Sequence, residues 1–486
     1  MAALRTLRDL QEHDRPATAE EQSVLARWSG WGAVPKVFDE SDEQFAGERA
    51  ELKQLLDERE WRAASKTTLN AHYTDAALAQ AMWDLVTDGG LGADGQPVRM
   101  LEPGCGAGTF IGLAPAVVTA KDSAVFGVEL DPSTAAIAQH LYPGADIRQE
   151  SFADTRLPGS YLDLVIGNVP FGKLALHDKV HNAGGHSLHN HFILKSLALT
   201  RPGGIVCVLT SHYSLDAANP AARREIAAMA DLVAAVRLPM SAHQQAAGTQ
   251  VITDVLVLRR REPADGPGDG SDWEGTVAIG GDEQRQVYVN RYFAEHHPER
   301  VIGDTGTRSG PFGPELEVKT APGTDVAREL RSRLGEAVAE AASGDPAWSL
   351  LTPPSPAAAA ARPLPRAAAP AEHQHDHLAA DPGGGFTTVD HGQLRPHPVP
   401  KSQAKELTAL LGLRDTTVAL LGAEAASVAD TEHLDALRRQ LNRQYGAYLT
   451  QWGPINRISW RRTGRVDEIT GEDRLARINP LQGGFR

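Results

Sequence analysis

A rhythm between residues 61 and 265 constrains this 486-residue chain more than any other feature. Short apolar runs rich in β-branched residues recur there: VRMLEP (98–103), AVFGVEL (124–130), YLDLVIGN (161–168), GGIVCVLT (203–210), LVAAVRLP (232–239) and TDVLVLRR (253–260). Helical stretches such as DPSTAAIAQHLY (131–142) and NHFILKSLALTRPGG (190–204) separate most of them. Strands this apolar need both faces covered, and intervening helices supply the crossovers. The segment therefore predicts βαβ units in a mostly parallel α/β sheet.

Other regions read differently. Residues 1–60 place Leu at helical spacing in LRTLRDLQEH and RAELKQLLDERE, with the Trp- and Gly-containing loop WSGWGAVPKVFDE between them. This predicts a helical amino-terminal extension. Residues 266–343 form an accessory region, taken as a candidate for target contacts because it follows the α/β segment, and close on the helical pattern DVARELRSRLGEAVAEAA. Residues 344–385 are rich in Pro, Ala and Gly, too poor in apolar side chains to offset their ordering entropy, and are expected to be a disordered linker. Residues 386–486 carry two more helical patterns, KSQAKELTALLGL and TEHLDALRRQLNRQYGAYLTQW, and predict a helical carboxyl-terminal region.

Two cysteines, neither in a CxxC pair, argue against structural zinc and a disulfide framework. With no secretion signal at MAALRTLRDLQEHDRP and no apolar run of membrane-spanning length, the expected setting is the cytoplasm, with no membrane partner. Five histidines crowd residues 177–191, but no carboxylate or Cys completes a metal spacing, so no metal is expected. The formal net charge of -14 sits poorly with tight binding of nucleic acid, whose phosphates need Lys and Arg; Arg259, Arg260 and Arg261 form one small basic cluster.

The strand–loop–helix VRMLEPGCGAGTFIGLA puts Gly104, Gly106 and Gly108 directly after a strand. Glycines there allow a tight turn and a close approach of backbone to ligand. A dinucleotide fingerprint would need Gly at 109, where Thr109 stands. Glu102, directly before the loop, would repel a pyrophosphate and suit a cationic amino group. Glu129, at the end of the next strand, is placed for ribose hydroxyls. Loop and acid together favour S-adenosylmethionine over a nicotinamide cofactor. Alone, such a loop is equally often a turn that binds nothing.

Asn168-Val169-Pro170-Phe171 interrupts an apolar strand at its carboxyl end, the edge where open α/β sheets place ligands. The tetrapeptide resembles the Asn-Pro-Pro-Tyr/Phe signature of the amino-methyltransferases, and NAHYTD (70–75) resembles their upstream Tyr-Thr element, here Tyr73 and Thr74. The resemblance implies a Rossmann-like methyltransferase with a mostly parallel seven-stranded sheet and S-adenosylmethionine as cofactor. It implies further that the Asn168 side-chain oxygen and the Val169 carbonyl hold an amine, that Phe171 stacks on its ring, and that Tyr73 and Thr74 cover the cofactor's methionine end. Val169 departs from the usual Pro. Phe152 matches the residue that contacts the cofactor adenine, with Glu150 or Asp154 as its acidic neighbour.

The flanks WSGWGAVPKVFDE, SLHNHFILKSLALTRPGG, TDVLVLRRR and VNRYFAEHHPERVIG resemble the amino-terminal methylase part of large methylase-helicase proteins of phages, plasmids and defence islands. This implies methylation of the N6 amine of adenine in DNA, in a restriction-modification, anti-restriction or phage-defence setting, with a helicase or ATPase partner or a further carboxyl-terminal helicase region. A protein-glutamine methyltransferase, an RNA-adenine methyltransferase and a catalytically weak DNA-binding subunit stay open as alternatives.

Overall fold

The computed structural model describes residues 1–68, 74–243, 251–262, 265–268, 270–281, 286–310, 313–343, 348–352, 377–380, 385–390, 393–425, 431–455, 459–466 and 473–478. The chain divides into two compact units, Met1–Arg362 and Pro363–Arg486.

Seven strands form the central sheet of the first unit: β1 Arg99–Pro103, β2 Ala124–Glu129, β3 Asp146–Gln149, β4 Leu162–Asn168, β5 Thr200–Ser211, β6 Ala230–Leu238 and β7 Thr253–Arg260. Their order is β3-β2-β1-β4-β5-β7-β6. The pairs β3–β2, β2–β1, β1–β4 and β4–β5 are parallel, while β7 lies antiparallel between β5 and β6. This is the mostly parallel seven-stranded sheet of Rossmann-like methyltransferases. Alternation decides which face each residue feeds. Leu164, Ile166, Ile205, Cys207 and Leu209 enter one core, and Val165, Val206 and Val208 enter the other.

Helices α1 Ala2–Glu12, α2 Ala19–Leu25, α3 Ala46–Leu55 and α4 Glu58–Thr67 build the amino-terminal extension. Thr18 and Asp57 close capping boxes with Glu21 and Glu60, which fixes where α2 and α4 begin. The buried stripe Ala3, Leu4, Leu7 and Leu10 of α1 shares a core with Ile137 of α7, Pro132–Leu141. Between α4 and α7 come α5 Ala76–Asp88 and the single turn α6 Thr109–Gly112; α8 Leu188–Leu199, α9 Tyr213–Asp216 and α10 Ala221–Met229 follow.

The accessory region is part of the first unit. Hairpins β8 Thr276–Gly281/β9 Gln286–Asn290 and β10 Asp304–Gly310/β11 Gly313–Lys319 precede α11, Val326–Ala341. Leu330, Leu334 and Ala337 of α11 sink into the same core as Leu78 and Met82 of α5. A buried ionic cluster fastens β9 to the sheet. The Arg237 guanidinium donates to both Asp254 oxygens at 2.8 Å and to Asp216 Oδ1 at 3.0 Å, and Asp216 Oδ1 also accepts the Asn290 N–H at 2.8 Å. Asn290 in turn donates to the carbonyls of Leu215 and Trp273.

The structure departs from the sequence reading at three places. The segment expected to be a linker from residue 344 has a docked start, since Leu351 N–H donates to Gly89 O at 3.3 Å and Thr352 N–H to Gly203 O at 3.2 Å. Residues 353–376, its centre, lie outside the described residues, as does the tail 479–486. The three arginines at the end of β7 form no basic face. Arg259 bonds Thr352, Arg260 donates to Met229 O, and Arg261 pairs with Asp231. Because β7 runs antiparallel, they sit at the sheet's amino edge, away from the carboxyl ends of the parallel strands. Third, the second unit adds strands to its helices α12 Lys401–Ala425 and α13 Glu432–Trp452: a three-stranded antiparallel sheet over Leu378–Ala380, Phe386–Asp390 and Gln393–Pro396, and a hairpin of Ser459–Val466 with Asp473–Ile478. Among the described residues no helix is long and apolar enough to cross a membrane.

Candidate active site

At the carboxyl ends of β1, β2 and β4 the three strand-end loops converge on one cavity of about 380 Å³. The loop after β1 is shaped by left-handed backbone at Gly104 (φ 68°), Gly106 (φ 56°) and Gly108 (φ 82°). Gly104 also needs its lack of a side chain for space, since a Cβ would come within 3.2 Å of Pro170 Cδ. Gly108 does not line the cavity. It caps α6, and a Cβ there would strike the Tyr142 ring at 2.5 Å.

Two carboxylates, the buried Glu102 and the half-buried Glu129, brace this loop from opposite sides. Glu102 accepts from the Phe110 and Ile111 N–H groups at 3.3 and 3.0 Å, satisfying donors that the first turn of a helix leaves free. Its carboxylate is thus turned to α6, and this side chain holds the loop against the helix that follows. Glu129 accepts from Gly106 N–H at 2.9 Å through Oε2 and from Asp131 N–H at 2.8 Å through Oε1, bridging the ends of β1 and β2. Burial pushes both acids up, Glu102 to about 8 and Glu129 to about 7. Burial pushes the Cys105 thiol up as well, so Cys105 is an inert packing residue.

The opposite wall comes from β4 and the chain after it. Asn168 ends β4 at the rim, and Val169, Pro170 and Phe171 line the cavity. The side chain of Val169 is buried, and its N–H donates to Leu209 O at 3.0 Å, one bond beyond the Asn168–Leu209 pair that ends the β4–β5 ladder. A proline at 169 has no such donor. The substitution therefore ties the tetrapeptide more firmly to β5 and leaves its carbonyl in place as an acceptor. Phe152 stacks at 4.6 Å between ring centroids on Phe192 and closes the end nearest β3. Of its two acidic neighbours, Glu150 lines the cavity with a buried Oε1 that has no hydrogen-bond partner, whereas Asp154 is exposed and does not line it.

Ten of the residues singled out from sequence thus line this one cavity: Thr74, Glu102, Gly104, Gly106, Glu129, Phe152, Asn168, Val169, Pro170 and Phe171. Tyr73 lies outside the described residues.

Sequence reasoning missed the amino-terminal extension as a wall of the site. Gly30 and Trp31 line the cavity, and the Trp31 indole N–H donates to Asp131 Oδ2 at 3.1 Å. Trp28 donates to Thr134 at 3.1 Å beside it. The spacing WSGWG carried the signal, because two indoles next to glycines are costly in an exposed loop. Their destination on α7 depends on long-range packing. The cavity so built is apolar-walled with a few placed acceptors, and it suits an adenosine-like ligand at β2 and a second planar group at Phe171.

No protein-family profile matches the chain. Among solved structures, the methyltransferase subunit of a type I restriction-modification system from Streptococcus thermophilus is similar, with 18% identity and a TM-score of 0.31 over 39% of this chain and 44% of that one. TrmN from Thermus thermophilus shares 23% identity at a TM-score of 0.25, over 38% of this chain and 48% of that one. Among characterised proteins, the chain is 29% identical over 208 residues to the defense against restriction protein B of Escherichia phage P1, a match covering 41% of this chain and 8% of the phage protein's own length. The chain has a mostly parallel seven-stranded sheet of order β3-β2-β1-β4-β5-β7-β6, and over 208 residues it resembles a small part of a much larger phage protein.

Proposed function

We propose that this chain is an S-adenosylmethionine-dependent methyltransferase acting on the N6 amine of adenine in DNA, in an anti-restriction or restriction-modification setting and together with a helicase or ATPase partner. The observation that carries this reading is the single cavity shared by the Glu129-braced glycine loop and Asn168-Val169-Pro170-Phe171. Resemblance to the phage protein supports the setting.

The residues present fit the cofactor. Glu129 has unused acceptor positions at the end of β2 for ribose hydroxyls. Glu150 brings a buried, unpartnered carboxylate oxygen beside Phe152, suited to an exocyclic amine. Gly104 and Gly106 leave the loop without side chains where the methionine portion would lie. When bound, S-adenosylmethionine supplies an electrophilic methyl group. All other requirements fall on the protein.

An exocyclic adenine amine is a weak nucleophile, because its lone pair is delocalised into the ring. Asn168 Oδ1 and the Val169 carbonyl each accept one of its hydrogens, holding the nitrogen with its lone pair turned toward the cofactor side. Phe171 stacks on the base after it leaves the duplex, an interaction worth ~1–3 kcal/mol. Pro170 stiffens the turn that joins these roles, so that little positioning entropy is left for the reaction step.

Incubation of the chain with tritiated S-adenosylmethionine and, separately, DNA, RNA or protein tests this directly. Label in DNA that digests to N6-methyl-2′-deoxyadenosine is the expected result. Label in RNA or in protein glutamine instead, or in none of the three with the partner present, would overturn it.

A further inference from the structure

Immediately after Phe171 the chain makes a compact loop, Gly172 to Ser187, whose ends are pinned together by Leu188 N–H donating to Gly172 O at 3.2 Å. Underneath, the loop is anchored by a buried hub. Asp178 Oδ1 accepts the N–H groups of Val180 and His181 at 3.1 and 3.0 Å, and Oδ2 faces His181, His191 and Lys195, each at 3.2 Å. Burial opposes ionisation of Asp178, yet the His181 N–H, His191 and Lys195 together hold its carboxyl well below the usual carboxylate range. Lys195 is itself buried and donates to Ala153 O at 2.9 Å, so the hub also ties the loop to the Phe152 turn. Asn182 finishes the frame with bonds to Leu176 O and His186 O.

The outer surface of this loop differs from the other described surfaces of the first unit. Leu174 and Val180 are 63% and 71% exposed, the highest values for large apolar side chains among the described residues of the first unit. Each follows an exposed lysine, Lys173 and Lys179, and neither lysine has an ion-pair partner among the described residues. Asp178 is the only acid between residues 172 and 187, and it is buried, so the loop presents positive charge on a chain of net charge -14. Leu174 lines the same cavity as Phe171. A repeated Lys-apolar pair on one hydrogen-bonded loop, whose first apolar member Leu174 reaches the cavity, matches two demands of a duplex in which a nucleotide is turned outward. Phosphates need cations, and the vacated stack needs an apolar filler.

Resting on the methyltransferase reading above, we infer that the loop 172–187 is a DNA-engaging element. Lys173 and Lys179 contact backbone phosphates flanking the target, and Leu174 and Val180 occupy the space that the extruded base leaves.

The full chain should be titrated, by anisotropy and by fluorescence, with a short DNA duplex carrying one 2-aminopurine mispaired with cytosine, a mispair that lowers the cost of extrusion. The wild-type chain should bind and brighten the 2-aminopurine. Lys173→Gln with Lys179→Gln should weaken binding and make the slope of log affinity against log salt shallower by about 1.8, since each lost phosphate contact contributes about 0.9. Leu174→Ala with Val180→Ala should keep the wild-type salt slope and lose most of the fluorescence rise. Lys121→Gln, an exposed lysine in the turn before β2, should change neither. The two lysine variants should bind cofactor as the wild type does, and cofactor titration of the Leu174→Ala with Val180→Ala variant separates loss of the fluorescence rise from any change in the cavity. Wild-type slope and brightening in both double variants would overturn the inference, as would failure of the wild-type chain to bind DNA, or equal losses on an RNA duplex only. Methyl transfer measured beside the titration separates the two readings. If the wild-type chain brightens the probe yet transfers no methyl group, the catalytic reading fails and the loop assignment stands.

Discussion

The two ends of the cavity are built on opposite plans. At the β2 end the acceptors are carboxylates wired to backbone N–H groups: the buried Glu102 to α6 and the half-buried Glu129 to Gly106 and Asp131, with Trp31 sealing the side. At the β4 end a half-buried ring and an exposed loop face outward, and the buried ionic hub at Asp178 lies beneath the surface. The first plan suits a small ligand of fixed shape, which can be enclosed. The second suits a macromolecule, which must be met by a surface that is stiff before contact. Substitutions at the two ends should therefore separate binding of the cofactor from transfer of the methyl group.

The largest separation is expected at Asn168. Asn168→Ala should reduce kcat by about 10²–10³ or more, the range typical for loss of one transition-state hydrogen-bond partner, and leave cofactor affinity by calorimetry unchanged. Weakened cofactor binding in this variant would mean that the two ends are not independent. Glu129→Ala should do the reverse. It should weaken cofactor binding roughly tenfold or more, given ~1.5–3 kcal/mol per charge-assisted hydrogen bond, while turnover recovers at saturating cofactor. Persistently low turnover at saturation would show that Glu129 acts beyond its own end.

The smallest effect is in pH. Glu102 and Glu129 are raised by burial to about 8 and about 7, so the folded chain holds protons there that the unfolded chain has released. Their contribution therefore favours folding at low pH and is lost as pH rises from the ordinary carboxylate range through about 8. On the proposed function cofactor binding should have the opposite sign, because ribose hydroxyls would bond the ionised Glu129. Thermal melts should show the free chain losing stability from about pH 5 to about pH 8, while the cofactor-induced rise in Tm grows over the same interval. Glu129→Gln should flatten the second trend; equal cofactor shifts at both ends of the interval would assign the ribose contacts to another group.

What the sequence disclosed follows the same division. The glycine loop and Glu129 lie on adjacent strands, so short-range spacing sufficed to pair them. The tetrapeptide was visible because Asn and Pro end an otherwise apolar strand. The antiparallel direction of β7 was not legible, since TDVLVLRR has the same pattern read either way, and with it went the position of Arg259, Arg260 and Arg261. Helix α12 runs to Ala425, through Thr416 and Thr417, because burial of Leu407, Leu411 and Thr416 overrides the weak helix preference of β-branched residues. The bonds that Glu102 makes to the Phe110 and Ile111 N–H groups of α6 were not legible either, since they depend on how the loop after β1 folds back on itself.

The indole of Trp31 lies in the wall of the cavity, with its N–H on Asp131 and its ring edge-on to Trp28 at 4.8 Å. Indole emission responds to the polarity around the ring and to neighbouring quenchers. The amino-terminal extension thus gives the protein an intrinsic optical gauge of its own occupancy. A ligand that displaces solvent along this wall would register in the light the chain emits, without a label and before any chemistry has taken place.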